Sequence, residues 1–163
     1  MPDMLVNLLR LPPVEAALEE LRGRGLVVRR ARPWELTAVR EFVRASFSQA
    51  WADEISGGLL RQPSTVFVAL RGGRLVGFAA YECTRRNFFG PTGVVEDERG
   101  RGVGRALLLA SLRGLRELGY AYAIVGGVGP AEFYERAVGA RLIPDSQPGV
   151  YADPVRNEPG REP

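Results

Sequence analysis

The chain has 163 residues, of which 45% are hydrophobic and 25% are charged, a composition typical of a soluble globular domain. Its length fits one domain with its own core, and no apolar run approaches the roughly 20 residues of a membrane-spanning helix. All 22 basic residues are arginine, with no lysine or histidine. This excludes a histidine base, a histidine metal ligand and a lysine Schiff base, so we expect proton transfer to use carboxylates, tyrosine, the single thiol or water.

Charge and cysteine content exclude further classes of protein. The net charge of +3 would suit nucleic acid, but the arginines are scattered among acidic neighbours, so we expect no nucleic-acid partner. Cys83 is the one cysteine, which rules out an intramolecular disulfide and favours a reducing, cytoplasmic location. Asp3, Arg10 and two prolines interrupt the N-terminal apolar stretch, so we predict no signal peptide and no membrane partner.

The first third of the chain predicts one helix, one strand and two further helices. Their ranges are 13–22, 26–33, 34–47 and 49–62. Gly57 and Gly58 are expected to break the last of these helices.

After residue 62 the residues become β-branched and aromatic, which predicts an antiparallel run of three strands. Their ranges are 64–70, 74–82 and 87–96. Pro91 in the third strand marks a bulge or an edge position.

The strongest helix, predicted over 103–118, comes next and is closed by Gly119. A buried strand, a helix closed by Gly139 and a final pair of strands follow. Their ranges are 120–127, 130–138, 140–146 and 149–155. This order predicts an α/β (α+β) fold: a single domain with a mixed, largely antiparallel central sheet flanked by helices.

Three regions follow from this order. Residues 1–25 are predicted to form an N-terminal extension with a short helix, 26–155 the main domain and 156–163 a disordered tail.

The segment Arg99-Gly-Arg-Gly-Val-Gly104, between a strand and the long helix, is suited to holding phosphates. The first N–H groups of a helix lack intrahelical partners, and the helix dipole adds positive charge there. Glycines allow a ligand to approach the backbone, and arginines at 99, 101 and 105 suit a multiply charged anion. Taken alone, the same pattern also fits a glycine-rich turn between strand and helix.

Two familiar phosphate loops do not match this segment. A P-loop needs a lysine followed by serine or threonine, and the chain has no lysine. A dinucleotide-binding fingerprint reads G-x-G-x-x-G, whereas Gly100, Gly102 and Gly104 alternate. The strand before the loop also follows a predicted hairpin instead of opening a βαβ unit.

The spacing Arg99-x-x-Gly102-x-Gly104, after a strand bearing Val94 and before a long amphipathic helix, resembles the central motif of the GCN5-related N-acetyltransferases, the GNAT family. The segment AEFYERAVGA (131–140) resembles the second signature of that family, an aromatic-tyrosine pair on a short helix followed by glycine. The resemblance covers roughly residues 27–143. It implies the acyl-CoA N-acyltransferase fold, with acetyl-CoA as co-substrate and no metal.

The resemblance also implies where acetyl-CoA would bind. The backbone amides from Gly100 to Arg105 would hold the pyrophosphate, and the strand end at Val94 would face the acetyl-pantetheine arm. In the family that strand splays away from the strand after the long helix, and the arm lies in the gap. The implied cofactor-binding residues are Val94, Val95, Arg99, Gly100, Arg101, Gly102, Val103, Gly104 and Arg105.

Two catalytic residues follow from the same resemblance. Tyr134 matches the tyrosine that protonates the departing CoA thiolate; its alternative role is to pack its helix on the sheet. Glu82, at the end of a predicted strand, is the first candidate for the general base. Asp53 and Glu54 come next, and each of these carboxylates also fits a solvated surface charge.

The predicted function is N-acetyl transfer from acetyl-CoA to a primary amine by direct attack in a ternary complex. The alternative is a non-catalytic acyl-CoA-binding or regulatory module. Two departures from the family pattern bear on this choice: Gly127 stands where the family often has asparagine, and Tyr134 and Gly139 are one residue further apart than usual.

The predicted partner is a small-molecule or peptide amine acceptor. Four aromatic residues are candidates for lining its pocket: Phe47, Trp51, Phe88 and Phe89. The resemblance also admits a homodimer, with 149–155 as a candidate interface strand.

Overall fold

A computed structural model describes residues 1–155. The predicted disordered tail, 156–163, lies outside the described residues. In the described part of the chain, no helix is both long enough and apolar enough to cross a membrane.

Seven strands and six helices make up the described structure. The strands are β1 Met4–Asn7, β2 Leu26–Arg30, β3 Val66–Arg71, β4 Arg74–Tyr81, β5 Phe88–Val94, β6 Tyr122–Val125 and β7 Arg141–Leu142. The helices are α1 Glu15–Gly23, α2 Leu36–Ser46, α3 Gln49–Glu54, α4 Ser56–Leu59, α5 Val103–Glu117 and α6 Ala131–Val138. Three short 3₁₀ turns, Leu8–Arg10, Pro33–Glu35 and Glu96–Glu98, link some of these elements.

The strands form one sheet in the order β2-β3-β4-β5-β6-β1-β7. Every neighbouring pair is antiparallel except β5 and β6, which are parallel. Helices cover both faces of the sheet. The predicted mixed, largely antiparallel sheet flanked by helices is therefore confirmed.

Two apolar layers hold the helices on the sheet. On one face, α5 buries Leu107 and Leu112 completely against β4 and β5, together with residues of α1 and α6. On the other face, α2, α3 and α4 bury Val43 and Ile55 against Phe78 of β4. This burial is the main source of stability, at about 25 cal/mol for each Å² of apolar surface removed from water.

The N-terminal segment contributes a strand that the sequence analysis did not predict. β1 lies between β6 and β7, with Met4 opposite Val125 on one side and Leu142 on the other. Met4 and Val6 are fully buried. The segment 1–25 therefore contributes β1 to the sheet, while the domain boundary at residue 25 remains a prediction.

The predicted closing pair of strands is wrong. Only Arg141 and Leu142 of the first predicted strand are extended, and they pair with β1 instead of with 149–155. Residues 149–155 form turns and irregular backbone, because β1 already occupies the edge beside β6. The candidate interface strand is therefore not a strand.

Pro91 marks a bulge, as predicted, but in an interior strand. Ala79 pairs with Thr92 and Tyr81 pairs with Phe89, so Gly90 and Pro91 together face one residue of β4. Proline lacks an N–H to donate, and the bulge removes the need for that bond inside the sheet.

The helix predicted over 49–62 breaks one turn earlier than expected. The interruption lies at Ile55, between α3 and α4, and both Gly57 and Gly58 lie inside α4. The two glycines face different surroundings. A Cβ on Gly57 would meet nothing within 4 Å, whereas one on Gly58 would lie 2.5 Å from Cys83 Sγ and 2.6 Å from Thr65 Oγ1.

This contrast predicts opposite effects of alanine at the two neighbouring positions. Gly58→Ala should lower the free energy of unfolding by about 1–3 kcal/mol, because its methyl group overlaps the side chains of Cys83 and Thr65. Gly57→Ala should leave the stability unchanged or raise it by up to about 1 kcal/mol, because it restricts the unfolded chain. Urea unfolding of both variants measures the difference, and equal midpoints would contradict the packing at Gly58.

Candidate active site

A cleft opens where the parallel strands β5 and β6 separate. Only Phe88 and Phe89 of β5 pair with β6, opposite Ile124 and Val125. β5 then continues to Val94 beyond the bulge at Gly90, while β6 ends at Val125. The two strands thus part in the way that the family resemblance implies.

The cleft has a volume of about 640 Å³ and runs from Phe47, just after α2, and Trp51 of α3 to the N-terminus of α5. Six of the nine predicted cofactor-binding residues line it: Val94, Arg99, Gly100, Gly102, Gly104 and Arg105. The other three do not line it. Val95 donates its N–H to Val76, Val103 is buried in the core, and Arg101 turns towards Glu98 at 3.9 Å.

The N-terminus of α5 presents free N–H groups to this cleft. Gly102 has a φ of +86°, a left-handed conformation that suits glycine. The helix begins immediately afterwards, and the hydrogen bond from the Ala106 N–H to the Gly102 carbonyl, 3.0 Å long, opens its ladder. The preceding N–H groups of the first turn have no intrahelical partner and lie at the positive end of the helix dipole.

At Gly104 the absence of a side chain matters for the space in the cleft, and the backbone conformation does not require glycine. Its φ lies outside the left-handed region, and a Cβ there would lie 3.7 Å from Val94 Cγ2 and 3.8 Å from Phe133 Cζ. A side chain at this position would project between the two walls of the cleft. The bare backbone keeps the cleft open next to the helix N-terminus.

Ion pairs and carbonyl contacts hold the loop before α5 in place. Arg71 of β3 donates two hydrogen bonds to the buried carboxylate of Glu98, one of them 2.9 Å long. This contact lowers the pKa of Glu98 below its ordinary value. Arg24 donates to the Arg101 carbonyl at 3.3 Å, and Arg99 Nε donates to the Val94 carbonyl at 3.0 Å. The loop is therefore attached to α1, β3 and β5.

Tyr134 lies at the other end of the cleft. It is 7% exposed on α6 and packs edge-on against Phe89 and Phe133, with ring centroids 6.3 and 5.0 Å apart. Burial raises the pKa of Tyr134 to about 12. Its hydroxyl has no hydrogen-bond partner among residues 1–155.

A second cavity, of about 350 Å³, adjoins the cleft. The two share five lining residues: Trp51, Phe89, Thr92, Pro130 and Tyr134. The second cavity also receives Met1 and Tyr151 from the two ends of the described chain. Tyr134 therefore stands at the junction of two connected spaces.

Comparison with known proteins identifies the family. Residues 62–137, just under half of the chain, match the family described as Acetyltransferase (GNAT) domain. Residues 62–137 carry a GNAT acetyltransferase domain. The matched residues include β5, the glycine loop, α5 and Tyr134. No curated protein matches the chain in sequence.

Solved structures share the fold of this GNAT domain. One is the GCN5-related glucosamine N-acetyltransferase region of a fungal multi-domain β-N-acetylglucosaminidase, with a TM-score of 0.70, 17% identity, and coverage of 87% of this chain and 19% of that one. Another is a GCN5-related N-acetyltransferase from Sphaerobacter thermophilus, with a TM-score of 0.65, 21% identity, and coverage of 87% and 48%. A GNAT family N-acetyltransferase from Escherichia coli in complex with CoA has a TM-score of 0.52, 27% identity, and coverage of 69% and 67%.

The GNAT domain described here is shorter than the first two of these structures. The chain spans about a fifth of the fungal protein and about half of the Sphaerobacter protein. At 17% and 21% identity, these likenesses establish the fold alone.

The structure does not bring Glu82, the first predicted base, to either cavity of the GNAT domain. Its carboxylate accepts hydrogen bonds from the Asn87 N–H and from Arg61, both at 3.0 Å. Burial alone would raise the pKa of Glu82, but these bonds and one from Tyr120 hold it below its ordinary value. Glu82 thus stabilises the turn between β4 and β5.

The other two candidate carboxylates differ in position. Asp53 is exposed and bonds to Arg40 and Gln49, at 3.2 and 2.9 Å. Glu54 accepts a hydrogen bond of 3.0 Å from the hydroxyl of Tyr151, which lines the second cavity. Of the three, only Glu54 contacts a residue of the cavity wall.

Three of the four aromatic residues predicted to line an acceptor pocket lie at the cavities, and their role there stays a prediction. Phe47, Trp51 and Phe89 line the cleft, whereas Phe88 lies over Gly126, where a Cβ would approach its ring to 3.0 Å. The sequence analysis missed several lining residues: Thr92, Gly93, Leu108, Pro130, Phe133, Met1 and Tyr151. Pro130 and Phe133 lie in or beside the second signature, so that motif offered a signal for them. No sequence signal marked Met1 and Tyr151 as lining residues, because only the fold brings these parts of the chain to the site.

The raised pKa of Tyr134 predicts a loss of stability at alkaline pH. The unfolded chain loses the phenol proton near pH 10, whereas the folded protein keeps it to about pH 12. The protonated phenol of Tyr134 contributes about 3 kcal/mol to the free energy of unfolding. This contribution is complete below pH 10 and is lost between pH 10 and 12. Urea unfolding of the wild type and Tyr134→Phe at several pH values isolates it. A difference between the two proteins that does not change across this range would contradict the burial of the hydroxyl.

Proposed function

We propose that this chain transfers the acetyl group of acetyl-CoA to the primary amine of a small molecule or peptide, by direct attack in a ternary complex. The observation that carries the proposal is the position of Tyr134, at the junction of the cleft and the second cavity. The cleft suits the acyl donor and the second cavity suits the amine. The reacting atoms would then meet beside the Tyr134 hydroxyl.

The chemistry of the cleft fits acetyl-CoA. The free N–H groups of α5 and the guanidinium groups of Arg99 and Arg105 suit the pyrophosphate. The open space at Gly104 lets that group approach the backbone. The gap between β5 and β6 suits an extended pantetheine arm, and the Escherichia coli relative is in complex with CoA. We propose no metal in the reaction.

Tyr134 supplies a hydrogen-bond donor to the leaving group. As the amine nitrogen bonds to the thioester carbon, the carbonyl oxygen becomes negative; the C–S bond then breaks and the sulfur takes the electron pair. A phenol with a pKa of about 12 stays protonated at neutral pH, so its hydrogen is available to the departing sulfur. Holding both substrates in one orientation supplies the larger part of the rate enhancement.

A non-catalytic acyl-CoA-binding module is the second candidate. It is favoured by one observation: within residues 1–155, no aspartate or glutamate lines either cavity. Such a module would bind acetyl-CoA at the same cleft without turnover.

Two measurements test the proposal. Acetyl-CoA titrated into the protein should release heat of binding, and release of CoA should then be followed with tyramine, spermidine, glucosamine and a lysine peptide as acceptors. Binding with turnover supports the enzyme. Binding with no turnover on any of these amines supports the binding module, and no binding of acetyl-CoA would overturn both.

The remaining predictions concern location and partners. We propose a cytoplasmic protein with no nucleic-acid or membrane partner, supported by the single cysteine and the scattered arginines.

A further inference from the structure

Tyr151 reaches the second cavity from a distant part of the chain. Its hydroxyl donates a hydrogen bond of 3.0 Å to Glu54 Oε1 at the end of α3. The hydroxyl of Thr84 donates to the same carboxylate oxygen. Glu54 therefore lies directly behind a hydroxyl of the cavity wall, held by contacts from two other parts of the chain.

The segment that carries Tyr151 is attached to the N-terminus. The Asp3 carbonyl accepts a hydrogen bond of 2.9 Å from the Ile143 N–H, and the Asp3 N–H donates one of 2.9 Å to Ser146. The Asp3 carboxylate accepts from the Gly127 N–H at 2.8 Å. A Cβ on Gly127 would lie 3.4 Å from the Tyr151 ring, so the ring rests on that glycine.

The two tyrosines of the cavity differ in the direction of their hydrogen bonds. A phenol carries one hydrogen and can also accept hydrogen bonds on its oxygen. The hydrogen of Tyr151 is engaged by Glu54, so its oxygen can only accept from a ligand in the cavity. The hydroxyl of Tyr134 has no partner within residues 1–155, so its hydrogen is free to be donated. The hydroxyl of Tyr151 is thus arranged to receive a proton, and the hydroxyl of Tyr134 is arranged to give one.

Glu54 is also the one candidate carboxylate with no ion pair among the described residues. Arg40 pairs with Asp53 at 3.2 Å, and Arg61 pairs with Glu82 at 3.0 Å. Within 1–155 no arginine lies in ion-pair contact with Glu54. Instead, the hydroxyl groups of Tyr151 and Thr84 both donate to its Oε1.

We propose that Tyr151 and Glu54 form a proton relay for the acetyl transfer, with Glu54 as the final base. As the amine nitrogen bonds to the thioester carbon, its surplus N–H bond breaks and the proton goes to the Tyr151 oxygen. The O–H bond of Tyr151 breaks at the same time, and that proton goes to Glu54, which becomes a neutral carboxylic acid. Tyr151 ends the step as a phenol, so it transmits the proton without storing it.

This relay rests on the proposed acetyltransferase function, and the test must separate the two. The full chain is assayed with acetyl-CoA and whichever of tyramine, spermidine, glucosamine and the lysine peptide the wild type acetylates fastest. Tyr151→Phe, Glu54→Gln and Glu54→Ala should each lower kcat by about 10²-fold, the lower end of the range for a lost general base. The KM for acetyl-CoA should stay unchanged, because neither residue lines the donor end of the cleft.

Rescue by a small carboxylate distinguishes a base from a structural anchor. Sodium formate should restore activity to Glu54→Ala, with sodium chloride at equal ionic strength as control, and should not restore it to Tyr151→Phe. Tyr120→Phe is the matched control, since Tyr120 also bonds to a glutamate, Glu82, outside both cavities. Its kcat should equal that of the wild type.

Each other outcome has a definite meaning. Wild-type kcat in Tyr151→Phe or Glu54→Gln would overturn the relay and leave the acetyltransferase intact. A loss in Glu54→Ala that formate does not restore, or a raised KM for acetyl-CoA, would overturn it in favour of an anchoring role for Tyr151. If the wild type acetylates none of the four amines, the relay and the proposed function are both overturned.

Discussion

Tyr134→Phe should lower the kcat of acetyl transfer by about 10²-fold, the lower end of the range for a lost general acid. The variant removes only the hydroxyl group of a residue that lines two connected cavities, and that hydroxyl has no partner within residues 1–155. The ring contacts with Phe89 and Phe133 remain, so the KM for acetyl-CoA and the fold should be preserved. Steady-state kinetics at neutral pH measures the change.

A second tyrosine provides the control for this experiment. Tyr122 of β6 is half-exposed and lines neither cavity, so Tyr122→Phe should keep the wild-type kcat. Equal kcat values for the wild type and Tyr134→Phe would show that Tyr134 only packs its helix on the sheet. That result would also weaken the assignment of the reaction to this junction.

Gly104→Ala should weaken acetyl-CoA binding at least about tenfold, or about 1.4 kcal/mol, without destabilising the protein. The added methyl group fits the protein itself, at 3.7 Å from Val94 and 3.8 Å from Phe133, but it occupies the space beside the helix N-terminus. Because alanine favours helix over glycine, the free energy of unfolding should stay the same or rise by up to about 1 kcal/mol. Calorimetric titration and urea unfolding give the two quantities.

Alanine variants of two other glycines distinguish a blocked binding site from a destabilised protein as the cause of weaker acetyl-CoA binding. Gly57→Ala, outside the cleft and without a neighbour within 4 Å, should bind acetyl-CoA as the wild type does. Gly102→Ala should be less stable by about 1–2 kcal/mol, because it forces an alanine to a φ of +86°. If Gly104→Ala loses stability instead of affinity, the space beside Gly104 does not hold the ligand.

Local patterns predicted much of the fold and one end of the candidate site. The amphipathic pattern and the flanking glycines predicted where α5 starts and ends. Of the loop before it, Arg99, Gly100 and Gly102 line the cleft. The bulge at Pro91 also follows from one residue, since proline cannot donate to a sheet ladder. These features depend on residues that are close in sequence.

The acceptor end of the site could not be predicted in the same way. Glu82 at the end of a predicted strand and Glu54 within a predicted helix are both candidates, and Glu82 ranks first. The structure separates them, because Glu82 is bonded to Asn87 and Arg61 in a turn, while Glu54 meets the hydroxyl of Tyr151. Which carboxylate contacts a residue of the cavity wall depends on partners elsewhere in the chain.

The amino-acid sequence by itself determined the glycine loop, the long helix behind it and the place of the tyrosine on α6, because periodicity, caps and glycine conformation act over a few residues. Only the tertiary structure decided that β1 enters the sheet and that Tyr151 closes the second cavity. Tyr151 and Glu54 are 97 residues apart in the chain, and Asp3 and Gly127 are 124 apart. Contacts at such separations depend on how the whole sheet pairs, and no local pattern records that pairing.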